Sequence, residues 1–209
     1  MSEADKHLAK HLDVFKEIGN IGAGNAASAL ASLLNRKITM TVPESSVVPF
    51  NGIINLLDGP ETVVAGVLID MSGDLNGYIL LVLELKEAMS MVSLALNEPV
   101  RDVKSPGFAP SDLERDTILE ISNIVVGSFL SAISSFTGHK IKPSVPQMAI
   151  DMLGAVISIA TYEYGKIGDS VLFLRTQLID PQSETSGHFF LIPDYESYKM
   201  LIKSLGLEG

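Results

Sequence analysis

The chain contains an internal repeat, and this feature constrains the fold more than any other. Residues 13–43 and 116–146 align without a gap at an offset of 103 positions, and 13 of the 31 aligned pairs are identical. The offset later grows to 110, because Gly77 before one apolar segment corresponds to Gly187 before another. A unit of about 100 residues is too long for a solenoid repeat. We therefore predict one domain over residues 1–209, with similar halves at 12–98 and 114–207 joined by a proline-rich linker at 99–111.

Each half shows the same order of elements: a long helix, a strand ended by proline, a short apolar helix, two antiparallel strands and a closing helix. Because the strands are rich in Val, Ile and Leu, we predict an α/β fold in which two pseudo-symmetric halves share a β-sheet core flanked by long helices. The elements of the first half are Leu12–Leu34, Lys37–Val42, Val47–Leu57, Thr62–Met71, Gly77–Glu84 and Lys86–Asn97. Those of the second are Glu114–Thr137, Lys140–Val145, Met148–Leu153, either Val156–Tyr164 or Val171–Leu178, Gly187–Ile192 and Asp194–Leu205.

Charge and composition exclude several classes of function. The net charge is −10, and an acidic surface repels the phosphate backbone, so we expect no nucleic-acid partner. The chain has no cysteine, which excludes disulfides, thiolate metal sites and a cysteine nucleophile. No run of about 18 apolar residues is present and the first 20 residues are not typical of a secretory signal, so we expect no membrane span and a cytoplasmic protein.

The two long helices carry an apolar stripe and, opposite it, a repeated polar set. A step of two residues turns about 200° around a helix, which predicts that the polar set faces away from the core. The predicted core stripe is Phe15, Ile18, Gly22, Ala26, Ala29 and Leu33, with Ile118, Ile121, Val125, Phe129, Ala132 and Phe136 in the second helix. The polar set is Asp13, Glu17, Asn20 and Gly24, repeated as Asp116, Glu120, Asn123 and Gly127.

A carboxylate and a carboxamide three residues apart lie close together on one helix face. The amide can orient a water molecule, but it does not titrate and cannot act as a strong base. That is sufficient for hydrolysis of an acyl phosphate, whose leaving group is good and whose reaction needs positioning more than basicity. The alternative is a merely solvated face whose residues survive from gene duplication, and the pattern alone leaves both open.

The motif at Asp13, Glu17, Asn20, Gly24 and Asn25 resembles the signature of the CheC, CheX and FliY phosphatases of bacterial and archaeal chemotaxis. The string from Glu17 to Ala27 is especially similar to the CheC family. The second copy agrees, except that Ser128 stands where the first copy has Asn25. The resemblance extends over essentially the whole chain.

The resemblance implies that the substrate is phosphorylated CheY. It implies that Glu17 and Glu120 pair with the regulator's lysine and that Asn20 and Asn123 orient the attacking water. The protein would have no cofactor of its own, since magnesium would belong to CheY. The resemblance also implies binding of the receptor deamidase CheD, for which Asp151 is a candidate; a short core-capping helix is the alternative interpretation of that segment. Because duplicated halves can satisfy each other, we expect a monomer.

Two other classes of function remain possible from the sequence. One is a non-catalytic adaptor that sequesters phosphorylated CheY or binds CheD, and the other is a scaffold. A metal site at His7 and His11 lacks an evident third ligand.

Overall fold

The computed structural model describes residues 12–56, 59–105, 108–164, 170–179 and 184–206. Seven strands and five α-helices are found there, together with a 3₁₀ helix at Phe50–Leu56. The helices are α1 (Leu12–Leu34), α2 (Leu85–Leu96), α3 (Asp112–Thr137), α4 (Leu153–Tyr164) and α5 (Tyr195–Ser204). The strands are β1 (Thr39–Pro49), β2 (Val63–Gly73), β3 (Gly77–Glu84), β4 (Ile141–Pro143), β5 (Gln147–Met152), β6 (Ser170–Ile179) and β7 (Glu184–Pro193).

The strands form one antiparallel sheet in the order β1–β6–β7–β3–β2–β4, and β5 also pairs with β2. Each half lends its first strand to the other half, because β1 lies beside β6 while β4 and β5 lie beside β2. The predicted α/β fold, with a shared sheet flanked by long helices, is confirmed.

The pseudo-two-fold axis can be located from the strand register. Leu80 on β3 pairs with Phe190 on β7. Phe190 is also the residue that corresponds to Leu80 at the offset of 110. A residue that pairs with its own equivalent marks the axis, which therefore passes between β3 and β7. The exact limits of the two halves and of the linker stay a prediction.

The sheet separates two apolar layers. On one face α1, α2, α3 and α5 cover the inward side chains of the central strands. On the other face α4 and the 3₁₀ helix cover a smaller cluster. Alternation along the strands produces both layers, since Ala65, Val67 and Ile69 of β2 face the long helices while Val64 and Leu68 face the smaller cluster.

Two glycines of α1 allow close contacts that hold this helix in place. A Cβ on Gly22 would lie 2.9 Å from Cα of Phe129, so Gly22 permits α1 to cross α3 closely. A Cβ on Gly19 would lie 3.3 Å from a methyl group of Val42, where α1 packs on β1. Phe129 fills the crossing and stacks on Phe189, with ring centroids 4.6 Å apart.

Several predicted boundaries are wrong. Pro43 does not end the first strand, because β1 absorbs it in a bulge between Thr41 and Glu44 and continues to Pro49. The predicted short helix at Met148–Leu153 is mostly strand β5, which pairs with β2. Helix α4 occupies the segment Val156–Tyr164, so the strand partner is β6.

The predicted core stripe is correct only in part. Ala29 is exposed, and Leu33 and Phe136 are 54% and 46% exposed. The buried residues of α1 continue instead through Ala23, Ala27 and Leu30. The stripe keeps to one line of the helix, because its mean spacing equals the 3.6-residue turn, but the buried face of α1 lies to one side of that line and leaves Ala29 and Leu33 at its exposed edge.

One described helix, α3, is long and apolar enough to cross a membrane by length and composition. Half of its most apolar stretch is buried inside the protein, where Val125 and Phe129 pack in the main core. Packing within the protein therefore accounts for this composition. The expected lack of a membrane span stays a prediction.

Candidate functional site

The two Glu/Asn pairs lie on the N-terminal halves of α1 and α3, which run antiparallel, because the end of α1 at Leu33 lies beside the first half of α3 at Glu120. Glu17, Glu120 and Asn123 are exposed, and Asn20 is half-buried. Counted from the Gly22–Phe129 crossing at 1.5 Å per residue, Glu17 and Glu120 are roughly 20 Å apart along the helix axis. The structure therefore brings each glutamate near its own asparagine and keeps the two pairs apart as separate sites.

Both glutamates are available to a cationic partner. Neither Glu17 nor Glu120 forms an ion pair within the part of the chain that the structure describes. Asp13 and Asp116, one turn earlier on the same faces, are also exposed. Each site is thus an acidic helix face whose carboxylates are hydrated.

The two asparagines differ in their surroundings. Val42 donates its backbone N–H to Oδ1 of Asn20 at 2.9 Å, which fixes the first carboxamide against β1. The bulge in β1 explains this bond, because the register shift that starts at Thr41 leaves Val42 outside the β1–β6 pairing. Asn123 is exposed and its side chain has no hydrogen bond to any described residue. The polar set was predicted to face away from the core, and this holds for Asn123, whereas Asn20 is half-buried and bonded to β1.

A glycine follows each asparagine by one helical turn, and the internal packing does not require it. A Cβ placed on Gly24 or Gly127 would meet no atom within 4 Å. Glycine inside a helix costs about 0.5–1 kcal/mol relative to alanine. Both repeats therefore leave the helix backbone bare beside the amide, at a cost that the fold itself does not explain.

The start of α3 is held by a capping box that our sequence analysis missed. Ser111 caps the helix, and the buried Glu114 accepts hydrogen bonds from the Ser111 backbone and from Arg101, both at 2.6 Å. Burial alone would raise the pKa of Glu114, but the hydrogen bonds from Ser111 and the charge of Arg101 outweigh it and lower the pKa. The Ser-x-x-Glu spacing in the sequence carries this signal.

A cleft beside Glu120 was also missed. It has a volume of about 320 Å³ and lies between the C-terminal ends of α1 and α2 and the first half of α3. Asp116, Thr117 and Glu120 are its polar residues, and leucine, alanine and isoleucine side chains line the rest. Its signal in the sequence is Leu33, an apolar residue at the end of the predicted core stripe. The stripe predicts that Leu33 is buried, whereas the structure exposes it in this cleft.

Asp151 lies at the end of β5, away from both Glu/Asn pairs in the chain and on the opposite edge of the sheet from β1. Its side chain is exposed and accepts the N–H of Met152 at 2.7 Å. Met152 and its strand partner Val63 are about half exposed. The segment is therefore a strand end followed by a buried helix start at Leu153, and its part in partner binding stays a prediction.

Among the described residues, no group of three or more His, Asp or Glu side chains could hold a metal ion. His7 and His11 lie outside the described residues. The expected lack of a cofactor stays a prediction.

Comparisons with known proteins match the segments that carry the two sites. A family model described as CheC-like matches residues 11–47 and 113–150. A Bacillus subtilis (strain 168) protein named CheY-P phosphatase CheC is 34% identical over 199 residues, which cover 94% of this chain and 94% of that protein.

Solved structures agree in fold. FliY from Thermotoga maritima matches with a TM-score of 0.74 and 18% identity, covering 96% of this chain and 98% of that one. A chain of the complex of CheX, CheY, beryllium fluoride and magnesium from Borrelia burgdorferi matches with a TM-score of 0.51 and 15% identity, covering 85% of this chain and 96% of that one. At these identities the likeness shows the fold alone.

Proposed function

Because this chain belongs to the CheC family, we propose that it is a hydrolase that removes the aspartyl phosphate from the response regulator CheY. A relative that carries this activity in its name is 34% identical over nearly the full length of both proteins. The observation that carries the proposal is the exposed Glu120–Asn123 pair, which has no ion pair or hydrogen bond to a described side chain and stands beside the bare surface at Gly127.

Each glutamate anchors the regulator in this proposal. Glu17 and Glu120 accept the ammonium group of the regulator's lysine, which draws the phosphorylated aspartate toward the helix face. An exposed carboxylate suits this role, since its charge is uncompensated in the free protein and a lysine brought against it forms a charge-assisted hydrogen bond. The overall charge of −10 also favours approach of a basic surface.

Each asparagine places the water. The carboxamide accepts and donates hydrogen bonds, so Asn123 can hold a water molecule in line with the bond between phosphorus and the aspartyl oxygen. The water attacks phosphorus, the bond from phosphorus to the aspartyl oxygen breaks, the aspartate leaves as a carboxylate, and inorganic phosphate is released with the oxygen and both protons of the water. No strong base is required, because the acyl phosphate has a good leaving group. Magnesium belongs to the regulator, which holds it with its own residues.

The bare glycine makes this geometry attainable. In this proposal the aspartyl phosphate is recessed below the surface of the response regulator. The carboxamide therefore reaches it only if the helix backbone comes very close to that surface. Gly24 and Gly127 remove one side chain from the contact beside each amide. The same glycines would serve no purpose on a merely solvated helix.

A non-catalytic adaptor is the second candidate. The half-exposed Val63 and Met152 beside the exposed Asp151 form a small apolar surface on β2 and β5, outside the helices that carry the Glu/Asn pairs, which favours a docking role toward a partner such as CheD. Docking there and catalysis on the long helices are compatible, and the two can be tested separately. A cytoplasmic monomer is the state in which we expect both.

Turnover distinguishes the two candidates. Phosphorylated CheY is mixed with one-twentieth of its concentration of this protein, and inorganic phosphate is measured against the spontaneous rate. We expect every regulator molecule to be dephosphorylated several-fold faster than without the protein. Release that is no faster than the spontaneous rate, together with tight binding of phosphorylated CheY, would instead establish a sequestering adaptor.

A further inference from the structure

The cleft beside Glu120 is an apolar recess next to a charged site. Its lining combines polar residues of α3, namely Asp116, Thr117 and Glu120, with apolar side chains. The apolar part consists of Leu33 and Leu34 of α1, Ala95 and Leu96 of α2, and Ile121 of α3. The 320 Å³ volume is large enough for an aliphatic or aromatic side chain.

The walls of the cleft are fixed in position. Arg36, just beyond α1, donates a hydrogen bond from its guanidinium to Oδ1 of Asn97 at the end of α2, at 2.9 Å. Asn97 caps α2 in the left-handed conformation, with its N–H bonded to Ser93. The two helix ends therefore stay together without a ligand, and the recess exists before anything binds in it.

Leucine is exposed around this recess where a polar residue would fit better. Leu33, in the lining, is 54% exposed, and Leu113, one turn before Thr117 on the same face of α3, is 60% exposed. Exposed apolar side chains beside a preformed recess are typical of a protein-binding surface.

We propose that this cleft receives an apolar side chain of phosphorylated CheY that stands beside a basic residue, while Glu120 pairs with the lysine of the regulator's active site. The inference rests on the proposed function and deepens it. Two observations favour this occupant. First, Glu120 belongs to both the cleft and the catalytic pair, so a regulator bound at Glu120 covers the cleft. Second, the carboxylates of Asp116 and Glu120 have no ion pair among the described residues, so they suit a cationic residue of the partner.

The first site offers a different wall, so the two sites are not equivalent. By the repeat, Leu33 and Leu34 correspond to Phe136 and Thr137, while Ala95 and Leu96 correspond to Leu205 and Gly206. Thr137 places a hydroxyl where the cleft has a leucine, and that hydroxyl is bonded to the carbonyl of Ile133 at 2.8 Å. The wall of the first site is thus partly apolar but differently shaped, and we expect the recess at the Glu120–Asn123 site to bind CheY more tightly.

The test separates the two sites. Glu17→Ala leaves only the second site, and Glu120→Ala leaves only the first. Into each background we place Leu33→Gln, which removes apolar surface with a good helix-forming residue. We expect KM for phosphorylated CheY to rise at least fivefold in the Glu17→Ala protein with kcat changed less than twofold. In the Glu120→Ala protein the effect on KM should be several times smaller.

Ile179→Thr is the matched control, since Ile179 is a partly exposed apolar residue at the end of β6, outside the cleft. An unchanged KM for Leu33→Gln in the Glu17→Ala protein, or an equal rise in both backgrounds, overturns the cleft proposal. Affinity for CheY activated with beryllium fluoride is measured on the same variants. If the wild-type protein shows no turnover, the proposed function fails, and this affinity still decides whether the cleft binds the regulator.

Discussion

Oδ1 of Asn20 accepts a hydrogen bond from the backbone N–H of Val42, and this bond ties the asparagine of the first site to strand β1. The bulged strand would otherwise leave that N–H without a partner, half-buried between α1 and β1. Asn123 corresponds to Asn20, but the residue that corresponds to Val42 is Val145, which is 82% exposed between β4 and β5. The same residue type thus has a structural bond in one half and a free side chain in the other.

We predict that the two asparagines contribute differently to stability. Asn20→Ala should lower the free energy of unfolding by about 1–3 kcal/mol, because the Val42 N–H loses its acceptor. Asn123→Ala should change it by less than about 0.5 kcal/mol, as is usual for an exposed position. Urea denaturation of the two single variants measures the difference. Equal losses in both would show that the bond to Val42 has no energetic role.

Glycine-to-alanine substitution should separate function from stability. Gly127→Ala should raise the free energy of unfolding by about 0.5–1 kcal/mol, because alanine is the better helix former and its Cβ meets nothing. It should also lower kcat/KM toward phosphorylated CheY at least threefold, because the added methyl group keeps the regulator away. Thermal denaturation and phosphate release are measured on the same sample.

Ser135→Ala on the exposed part of the same helix is the control for Gly127→Ala, and it should leave kcat/KM unchanged. Gly22→Ala gives the opposite comparison, because its Cβ would collide with Phe129 and should destabilise the fold. A more stable Gly127→Ala protein with wild-type activity would refute a close approach at this glycine.

His188 should make the fold sensitive to mild acid. Burial, and then the nearby charge of Arg175, lower the pKa of His188 from 6.5 to about 4. Between these values the unfolded chain binds a proton that the folded protein does not, so stability is lost as the pH falls from 6.5 toward 4, by at most about 3 kcal/mol. His188→Leu should remove this part of the pH dependence. Urea midpoints at several pH values test it, and an unchanged slope would contradict it.

Glu114 should make the stability of the fold depend on pH in a more acidic range than His188 does. Its pKa is lowered in the folded protein, despite burial, by hydrogen bonds from Ser111 and by Arg101. Its contribution is therefore present above its ordinary pKa of 4.5 and is lost as the pH falls through the lower folded value. Glu114→Gln should cost about 1–3 kcal/mol at pH 7 and progressively less under acid. A cost that stays constant down to pH 2 would contradict the assignment.

The repeat predicted the architecture because each half must bury the same apolar segments. The two long helices were predicted to within two residues at each end, since their periodicity is local. The second half of the sheet was not, because Met148 and Val156 are apolar in either state and only pairing with β2 decides that β5 is a strand. The predicted strand end at Pro43 was wrong for the same reason, because a bulge that tolerates proline depends on the neighbouring strand.

The candidate site was predictable as a set of residues but not as an arrangement. Helical spacing placed Glu17, Glu120 and Asn123 on exposed faces, as the structure has them. It could not show that Asn20 bonds to Val42, because that contact joins residues 22 positions apart through a strand bulge. The cleft beside Glu120 is likewise formed by two helix ends and the first half of a third helix, which only the tertiary packing brings together.

The most direct test of catalysis by the two carboxamides is phosphate release from phosphorylated CheY with the Asn20→Ala/Asn123→Ala protein in substoichiometric amount. Circular dichroism first establishes that the variant is folded at the assay temperature, and affinity for beryllium-fluoride-activated CheY establishes that docking survives. We predict that release falls to the spontaneous rate while affinity stays within a few-fold of wild type. Turnover at the wild-type rate by the folded double variant would contradict the account.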